Sequence, residues 1–583
     1  MIPVLHNISY ETILHILHFC DYLTISRFAA ACKAYHRLVK ESPSLQLHIE
    51  LEANGLELVK GSSTASYSEI LEELKQYQDA WLKIDLREPV MRFLGSPHGP
   101  IWDLQEGFYL KGFSRSEENF ADAIQFIPLD ADTPDPPPIE FEFRFRKITS
   151  DPVQSLLALV SSDPETPCDI HLCSSITGLA HPLAEKPRLT TEFTILTPSL
   201  FPELSIEIMK HMLLAKLSDV VDRSYEILIW DWKAGTLLHR IHSQEGMCDH
   251  TFLDERHLVL LTYHQDTNLH GAQKHLSLLI YYISNNPTHV ASSNDQSQPD
   301  NIPIAQPILH LEFPELKESP RISDRAFLLQ SGPIPGRMIH TKSAVFSCSH
   351  VTTLNATFGF RVRSRGYRPS TSYQVFIDGQ SLLNHLSTTS RSGTKVLPWP
   401  TWGPKATRWF TAQAGTNLLI DWPYCMAGSK FTLPLSHASC NSIFDFSARS
   451  VSRSTQLAKL HPDAFLIDND SVDSSDCFAG LKLSQDYLTS FNAKLVYEPE
   501  PYTVVVGSKN PSTIKAGGYP KSGFNETITS YLPFILVYRG RDLNHEGWQI
   551  LGDCIVGIDV ILLLSTRYLS MLFPCVGLCE IRT

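Results

Sequence analysis

Cysteine is thin in this sequence: 12 residues among 583, scattered, with no Cys-x-x-Cys pair. That pattern excludes a zinc ribbon or a thioredoxin-like site. Cysteines this sparse make no disulfide scaffold, which points to a reducing compartment. Positive charge is also short. Lys and Arg number 49 against 62 Asp and Glu, a formal net charge of −13. Duplex nucleic acid is held chiefly by Lys and Arg neutralising phosphates, so no nucleic-acid partner is expected. Residues 1–5 carry no positive charge, and His6, Asn7, Ser9 and Glu11 interrupt any apolar run at once. A secretory signal is therefore not expected. These features indicate an intracellular chain of the cytoplasm or nucleus, in which the sequons at Asn7, Asn355 and Asn525 are chance matches.

Catalytic signatures are missing as well. There is no Walker loop, dinucleotide glycine motif, His-Glu-x-x-His pair or Gly-x-Ser-x-Gly elbow. His545-Glu546-Gly547-Trp548 lacks the second histidine, and Ser96 sits at the wrong offset between Gly95 and Gly99. The 24 histidines form no metal-ligand constellation. No catalytic residue, cofactor or metal is expected, and the chain is read as non-enzymatic.

The clearest pattern lies in the first 40 residues. Ile13, Ile16, Leu17 and Cys20 fall at i, i+3, i+4 and i+7, one stripe of an amphipathic helix, with Ser9 before it as N-cap. Thr24 is read as the cap of a second helix carrying Ile25, Phe28, Ala29 and Cys32 at the same spacing. Tyr35, Leu38 and Val39 continue into a third, and Ser42-Pro43 stops it and starts another. Three helices of about ten residues cannot bury all their apolar faces alone. Ser66-Tyr67-Ser68-Glu69 fits a capping box, followed by Ile70, Leu74, Tyr77, Trp81 and Ile84 at helical spacing.

The run Ile8-Ser9-Tyr10-Glu11-Thr12-Ile13-Leu14-His15-Ile16-Leu17, then Phe19, Asp21 and Ile25, then Ala31-Cys32-Lys33 and Tyr35, resembles an F-box. Glu11, Cys32, Lys33 and Tyr35 fall in register without gaps; Ser9 and Tyr22 stand where the family favours proline, and Thr24 where it favours Asp. Residues 42–51, with Gln78, Ala80 and Trp81, are similar to a group of fungal F-box proteins in which this stretch is a helical stalk. The resemblance implies the substrate receptor of a Skp–cullin–F-box ubiquitin ligase. Its partners would be a Skp-family adaptor, through it a cullin, and a protein target. It makes Ile8, Ile13, Leu14, Ile16, Leu17, Phe19, Ile25 and Cys32 the adaptor-facing apolar set, with Glu11 and Lys33 at the rim. The alternative is a scaffold outside any ligase, or a β-propeller binding protein, that uses the F-box only as an interaction module.

Beyond Arg87 helical periodicity mostly gives way to short β-branched and aromatic runs between turn residues: 140–145, 156–160, 192–196, 212–217, 226–232, 257–261, 276–283 and 373–377. Glu226-Ile227-Leu228-Ile229-Trp230-Asp231-Trp232, a turn at 233–235 and a return strand at 237–241 form a hairpin of the kind found in a propeller blade. The 276–283 run lies about one repeat length on, and 373–377 about two more. Trp399, Trp402 and Trp409 fill a core in preference to forming a recognition surface, with Arg408 placed to stack on Trp409 or Trp402. Residues 285–305 are expected to be a disordered loop, 133–138 a Pro-rich turn and 468–476 an acidic one. The apolar tail 560–583 is long enough for a bilayer, but Arg567 and Pro574 argue against an anchor. That leaves a closing strand or, as its abrupt change of character favours, translated non-coding sequence.

The expected architecture is α+β and multidomain. An F-box helical domain (1–41) and a helical linker (42–86) precede an all-β, propeller-like domain (87–559), which is followed by the tail.

Overall fold

The computed structural model describes residues 8–61, 64–83, 90–93, 101–105, 107–116, 120–129, 133–161, 169–190, 193, 203–219, 223–265, 274–284, 304–318, 321–361, 371–388, 393–413, 426–432, 442–460, 465–467, 502–516, 523–538, 547–551, 554–563 and 571–580. A small helical part comes first and a large, mostly β part follows. The expected strand at 192–196 apart from Phe193, the expected loop at 285–305 as far as residue 303, and the acidic turn at 468–476 lie outside the described residues; at the end of that loop the Ala305 N–H donates to the Arg240 carbonyl at 2.9 Å.

Five helices open the chain: α1 (Tyr10–Leu17), α2 (Tyr22–Ala31), α3 (Lys33–Glu41), α4 (Pro43–Ala53) and α5 (Tyr67–Lys83). Ser9 caps α1 by accepting the Thr12 N–H at 3.3 Å. Asp21, not Thr24, caps α2: its carboxylate accepts the Thr24 N–H at 2.8 Å and the Thr24 hydroxyl at 2.7 Å. A carboxylate is the stronger acceptor for an orphan helix N–H and suits the helix dipole, so α2 starts three residues earlier than the spacing suggests. Cys32 is not part of the α2 stripe. It is the extended joint between α2 and α3, and its sulfur accepts the Tyr35 N–H. Ser42 caps α4 with Pro43 in the first turn. Ser66 and Glu69 form the reciprocal capping box of α5, at 2.7 and 3.3 Å.

Helix α4 supplies what the first three helices lack. Leu45 and Ile49 close a core with Ile13, Leu17, Ile25 and Val39. Leu47 and Leu51 turn the other way, onto Ile70, Leu71 and Leu74 of α5 and Phe346 of the β part. A helix apolar on all sides is stable only when covered on all sides. A strand within the expected linker, Leu56–Leu58, also pairs with Val345–Cys348 of the body.

The body is a succession of antiparallel sheets. The first has seven strands in chain order, from Ile101–Gln105 to Arg188–Leu189. The second comprises Glu203–Met209, Met212–Asp219, Ser224–Asp231 and Thr236–Ser243. The third runs Met247–Asp254, His257–Gln265, Lys274–Tyr282 and Leu309–Glu312, extended in parallel by Lys395–Leu397. The fourth comprises Arg321–Gln330, Thr353–Arg361, Thr371–Asp378 and Thr407–Gln413. The three segments that the spacing related, around Glu226, Leu276 and Tyr373, are each the third strand of its sheet. A fifth, non-sequential sheet includes Ser442–Asp445, Tyr502–Val506 and Phe534–Tyr538. In the sixth, Val90–Phe93 pairs with Met571–Glu580, which pairs with Cys554–Leu563. Residues 571–580 of the apolar tail thus form a strand paired with the beginning of the body.

Consecutive sheets pack face to face through shared cores. Leu213, Leu228 and Trp230 of the second sheet meet Leu156 and Leu172 of the first. Ile227 and Ile229 meet Phe252, Leu258 and Leu260 of the third. Phe376 of the fourth stacks on Phe446, with ring centroids 4.2 Å apart. At the predicted hairpin Asp231 accepts the N–H groups of Lys233 and Ala234, and Gly235 takes a φ of 62°, which its missing Cβ permits.

The body is not all β. Helices α6 (Gly379–Ser387), α7 (Trp399–Ala406) and α8 (Ala448–Leu460) are built into it. Trp399, Trp402 and Trp409 are buried around Phe313, and the Trp402 indole N–H donates to the Glu312 carbonyl at 2.9 Å. Arg408 stacks on neither tryptophan. It is fully buried, lies over the Phe534 ring at 5.3 Å, and donates to the carbonyls of Leu532 and Asn510 at 2.6 and 2.7 Å. Those backbone acceptors stand on the other face of the strand, which decides the direction of the side chain.

Candidate protein-docking faces

The helical unit sorts the residues that sequence grouped together. Ile13, Leu17 and Ile25 are buried in its own core, Leu17 with 4% exposure, and are not available to a partner in this conformation. Ile8 and Leu14 are half-buried against the same core. Ile16 is 48% exposed and Phe19 80%. Glu11, Cys32 and Lys33 are also exposed. Tyr10 and Leu23, absent from the expected set, add to the outward apolar surface. No single helical spacing gives them: Tyr10 and Ile16 lie on α1, Phe19 in the break after it and Leu23 in the first turn of α2. The His15 ring meets Phe19 edge-on at 5.2 Å, so this face is partly pre-shaped. The first-turn carboxyl of Glu11 is held below its ordinary range by its backbone N–H and then by Ser9.

Beneath that face the unit is braced. His18 hydrogen-bonds with Ser44 at 3.2 Å and His48 with the Cys20 carbonyl at 3.1 Å. Burial, then His48 and His15, keep His18 below the usual imidazole range, hence neutral at pH 7. Buried Glu50 of α4 pairs with Arg449 of α8, and Asp79 of α5 with Arg453 at 2.7 Å. Glu73 of α5 accepts the N–H groups of Lys342 and Ser343 at 2.7 and 2.9 Å and the Thr341 hydroxyl at 3.1 Å. Burial would raise its pKa, but these hydrogen bonds, Ser343 first, hold it low. The helical unit is therefore fixed to the body through two helices and one strand.

A depression of about 760 Å³ lies between α2 and α3, and Cys32 and Lys33 are among the residues lining it.

The body carries a second outward apolar cluster. Val153, Ile176, Leu179 and Leu183 are each more than half-exposed, Ile176 at 75%. They sit on two interlocked turns: Ser175 donates to the Ser155 carbonyl at 2.8 Å, and His181 hydrogen-bonds with the Gln154 carbonyl at 3.0 Å over the buried Trp232 ring. Exposed apolar side chains on rigid turns mark interaction surfaces more often than isolated exposed leucines do.

Among the described residues no His, Cys, Asp or Glu group is arranged to hold a metal, and Cys20, Cys32, Cys173, Cys248 and Cys348 are free thiols. Among the same residues no helix is long and apolar enough to cross a membrane.

No known protein family and no curated protein matches the chain. Among solved structures it is similar to Kuenenia stuttgartiensis hydrazine synthase at 10% identity, over 49% of this chain and 65% of that one, with a TM-score of 0.27. It is similar to the WD40 domain of SCAP from fission yeast at 7% identity, over 85% and 98%, with a TM-score of 0.26. It is also similar to the polysaccharide lyase Uly1 at 7% identity, over 83% and 90%, with a TM-score of 0.33. Likenesses this slight carry no argument about activity.

Proposed function

We propose that this chain is a non-catalytic substrate receptor of a Skp–cullin–F-box ubiquitin ligase. Helices α1–α3 are an F-box that docks a Skp-family adaptor, and the β body holds the protein target. One observation carries this reading. A helical unit that has closed its own core still presents Tyr10, Ile16, Phe19 and Leu23 outward, on the segment whose residues resemble an F-box. Contiguous exposed apolar residues on a folded surface have a cost in water unless a partner covers them. The bracing to α8 and the body fits the task. A receptor acts by holding a target at a fixed distance from the transfer machinery, which raises its effective concentration.

We read the body as a propeller. Its second and third sheets each carry four strands in chain order, follow one another along the chain and share a core. In the second sheet the first strand is half-buried, the next two are nearly fully buried and the fourth is half-exposed, the order expected from axis to rim. First strands of neighbouring sheets also touch: Glu207 meets His250 at 3.3 Å, and Asp249 accepts the Leu329 N–H at 2.8 Å. Pairing of residues 90–93 with 571–580 closes the ring. The apolar turns around Ile176 are the target-binding surface in this reading.

The test is recovery of a Skp-family adaptor and a cullin with the tagged full chain expressed in eukaryotic cells. Both should come down with the native chain, and neither with the Ile16→Asp/Phe19→Asp variant. Recovery of neither with the native chain, or of both with the variant, would count against the proposal.

A further inference from the structure

We infer that the depression between α2 and α3 receives an acidic, extended segment of the protein that docks on the helical unit. The inference rests on the adaptor-docking reading for the identity of that protein, but not for the chemistry of the depression.

The sequence of α3 builds the wall. Leu38 and Val39 turn inward and Tyr35 stacks on Phe28 of α2, which leaves Lys33, His36, Arg37 and Lys40 on the opposite side at i, i+3, i+4 and i+7, one continuous stripe. All four line the depression. Glu41, at the end of the helix, is the acid among its lining residues. None of Lys33, Arg37 and Lys40 has an ion-pair partner among the described residues. Some other cations of the chain do pair, Arg449 with Glu50, Arg453 with Asp79, Lys216 with Asp249 and Lys210 with Glu255. A chain of net charge −13 that leaves three cations unpaired on one helix face concentrates positive potential there. The floor is small, Ala29 and Ala30 of α2, so a polypeptide backbone can approach closely.

Geometry narrows the occupant. Lys33 to Lys40 spans about 10 Å at 1.5 Å per helical residue. An extended chain presents one side chain to the same face about every 6.6 Å. Acids at alternate positions of a short extended segment therefore match the stripe in reach and charge. A volume of about 760 Å³ admits a few side chains and not a folded domain. None of Tyr10, Ile16, Phe19 and Leu23 lines the depression, so it is chemically separate from the outward apolar face.

The experiment is fluorescence anisotropy of a labelled ten-residue peptide of alternating Glu and Ala, titrated with the full chain. The expected result is saturable binding that weakens tenfold or more between 50 and 300 mM NaCl, roughly as screening of exposed charges requires. A Lys33→Glu/Arg37→Glu/Lys40→Glu variant should weaken binding at least tenfold. If that variant loses its helical circular dichroism, Lys33→Gln/Arg37→Gln serves, with a severalfold loss expected. The Ile16→Asp/Phe19→Asp variant should bind the peptide as the native chain does; if the native chain binds the peptide while no adaptor docks on that native chain, the adaptor reading fails and the depression stands. The inference is overturned by absence of binding, by binding indifferent to salt or to the charge changes, by equal binding of a Lys–Ala peptide, or by tighter binding of duplex RNA or phosphatidylserine vesicles.

Discussion

Ile16 and Leu17 are neighbours on α1, yet Leu17 is enclosed by Ile25, Val39, Leu45 and Ile49 while Ile16 faces solvent. Replacing one should therefore act on folding and the other on association. Leu17→Ala is expected to cost about 2–5 kcal/mol of stability in the helical unit, read by hydrogen exchange of α1–α4 amides. Ile16→Ala should change stability by less than about 0.5 kcal/mol and act only on partner binding. Lys216 makes the same point in the body. Burial works against its charge, but Asp249 at 2.9 Å, with further help from Cys248 and Glu203, holds the ammonium above its ordinary range. Asp249→Ala would leave a buried unpaired cation and cost about 3–5 kcal/mol. In denaturant unfolding, a loss below about 1 kcal/mol would contradict that pairing.

At the scale of elements, local chemistry was legible where it was self-contained. Ser9, Ser42-Pro43, the Ser66–Glu69 box and the turn at Asp231–Gly235 are each decided by residues within four positions of one another. Features that depend on distant partners were not legible. The segment of α7 contains Pro400, Gly403 and Pro404, poor helix material, and forms a helix because Phe313 and the Glu312 carbonyl hold its tryptophans. The parallel insertion of Lys395–Leu397 beside Leu309–Glu312 likewise needs a partner 86 residues away. That α4 would close the core of the first three helices was hidden because its apolar residues follow no single stripe. Asp378, the N-cap of α6, gives a pH test. Burial raises its carboxyl to about 6. A folded pKa above the ordinary 3.8 means that the folded state binds the proton more tightly. The stabilisation is complete below about pH 4 and lost as pH rises through 6. Asp378→Asn, which keeps the cap, should remove this slope and stabilise the chain at pH 7.5, as followed by thermal unfolding. An unchanged slope would contradict the assignment.

For the whole molecule the dominant acid response runs the other way. Burial depresses His239, His264, His310 and His350, all within the body. Their unfolded counterparts take protons first, so stability is full above about pH 6.5 and falls as pH drops through the lower folded values. Denaturant midpoints should decline between pH 6.5 and 5; a flat profile would mean that these imidazoles are not buried in solution. The ligase reading rests on a larger claim: a braced helical unit, complete in its own core, still offers an apolar face to a foreign protein. The most direct measurement is calorimetric titration of the purified full chain with a purified Skp-family adaptor. The account predicts one-to-one binding that Ile16→Asp/Phe19→Asp abolishes without lowering the thermal midpoint. No heat of binding with the native chain, or equal affinity for the doubly substituted one, would contradict it.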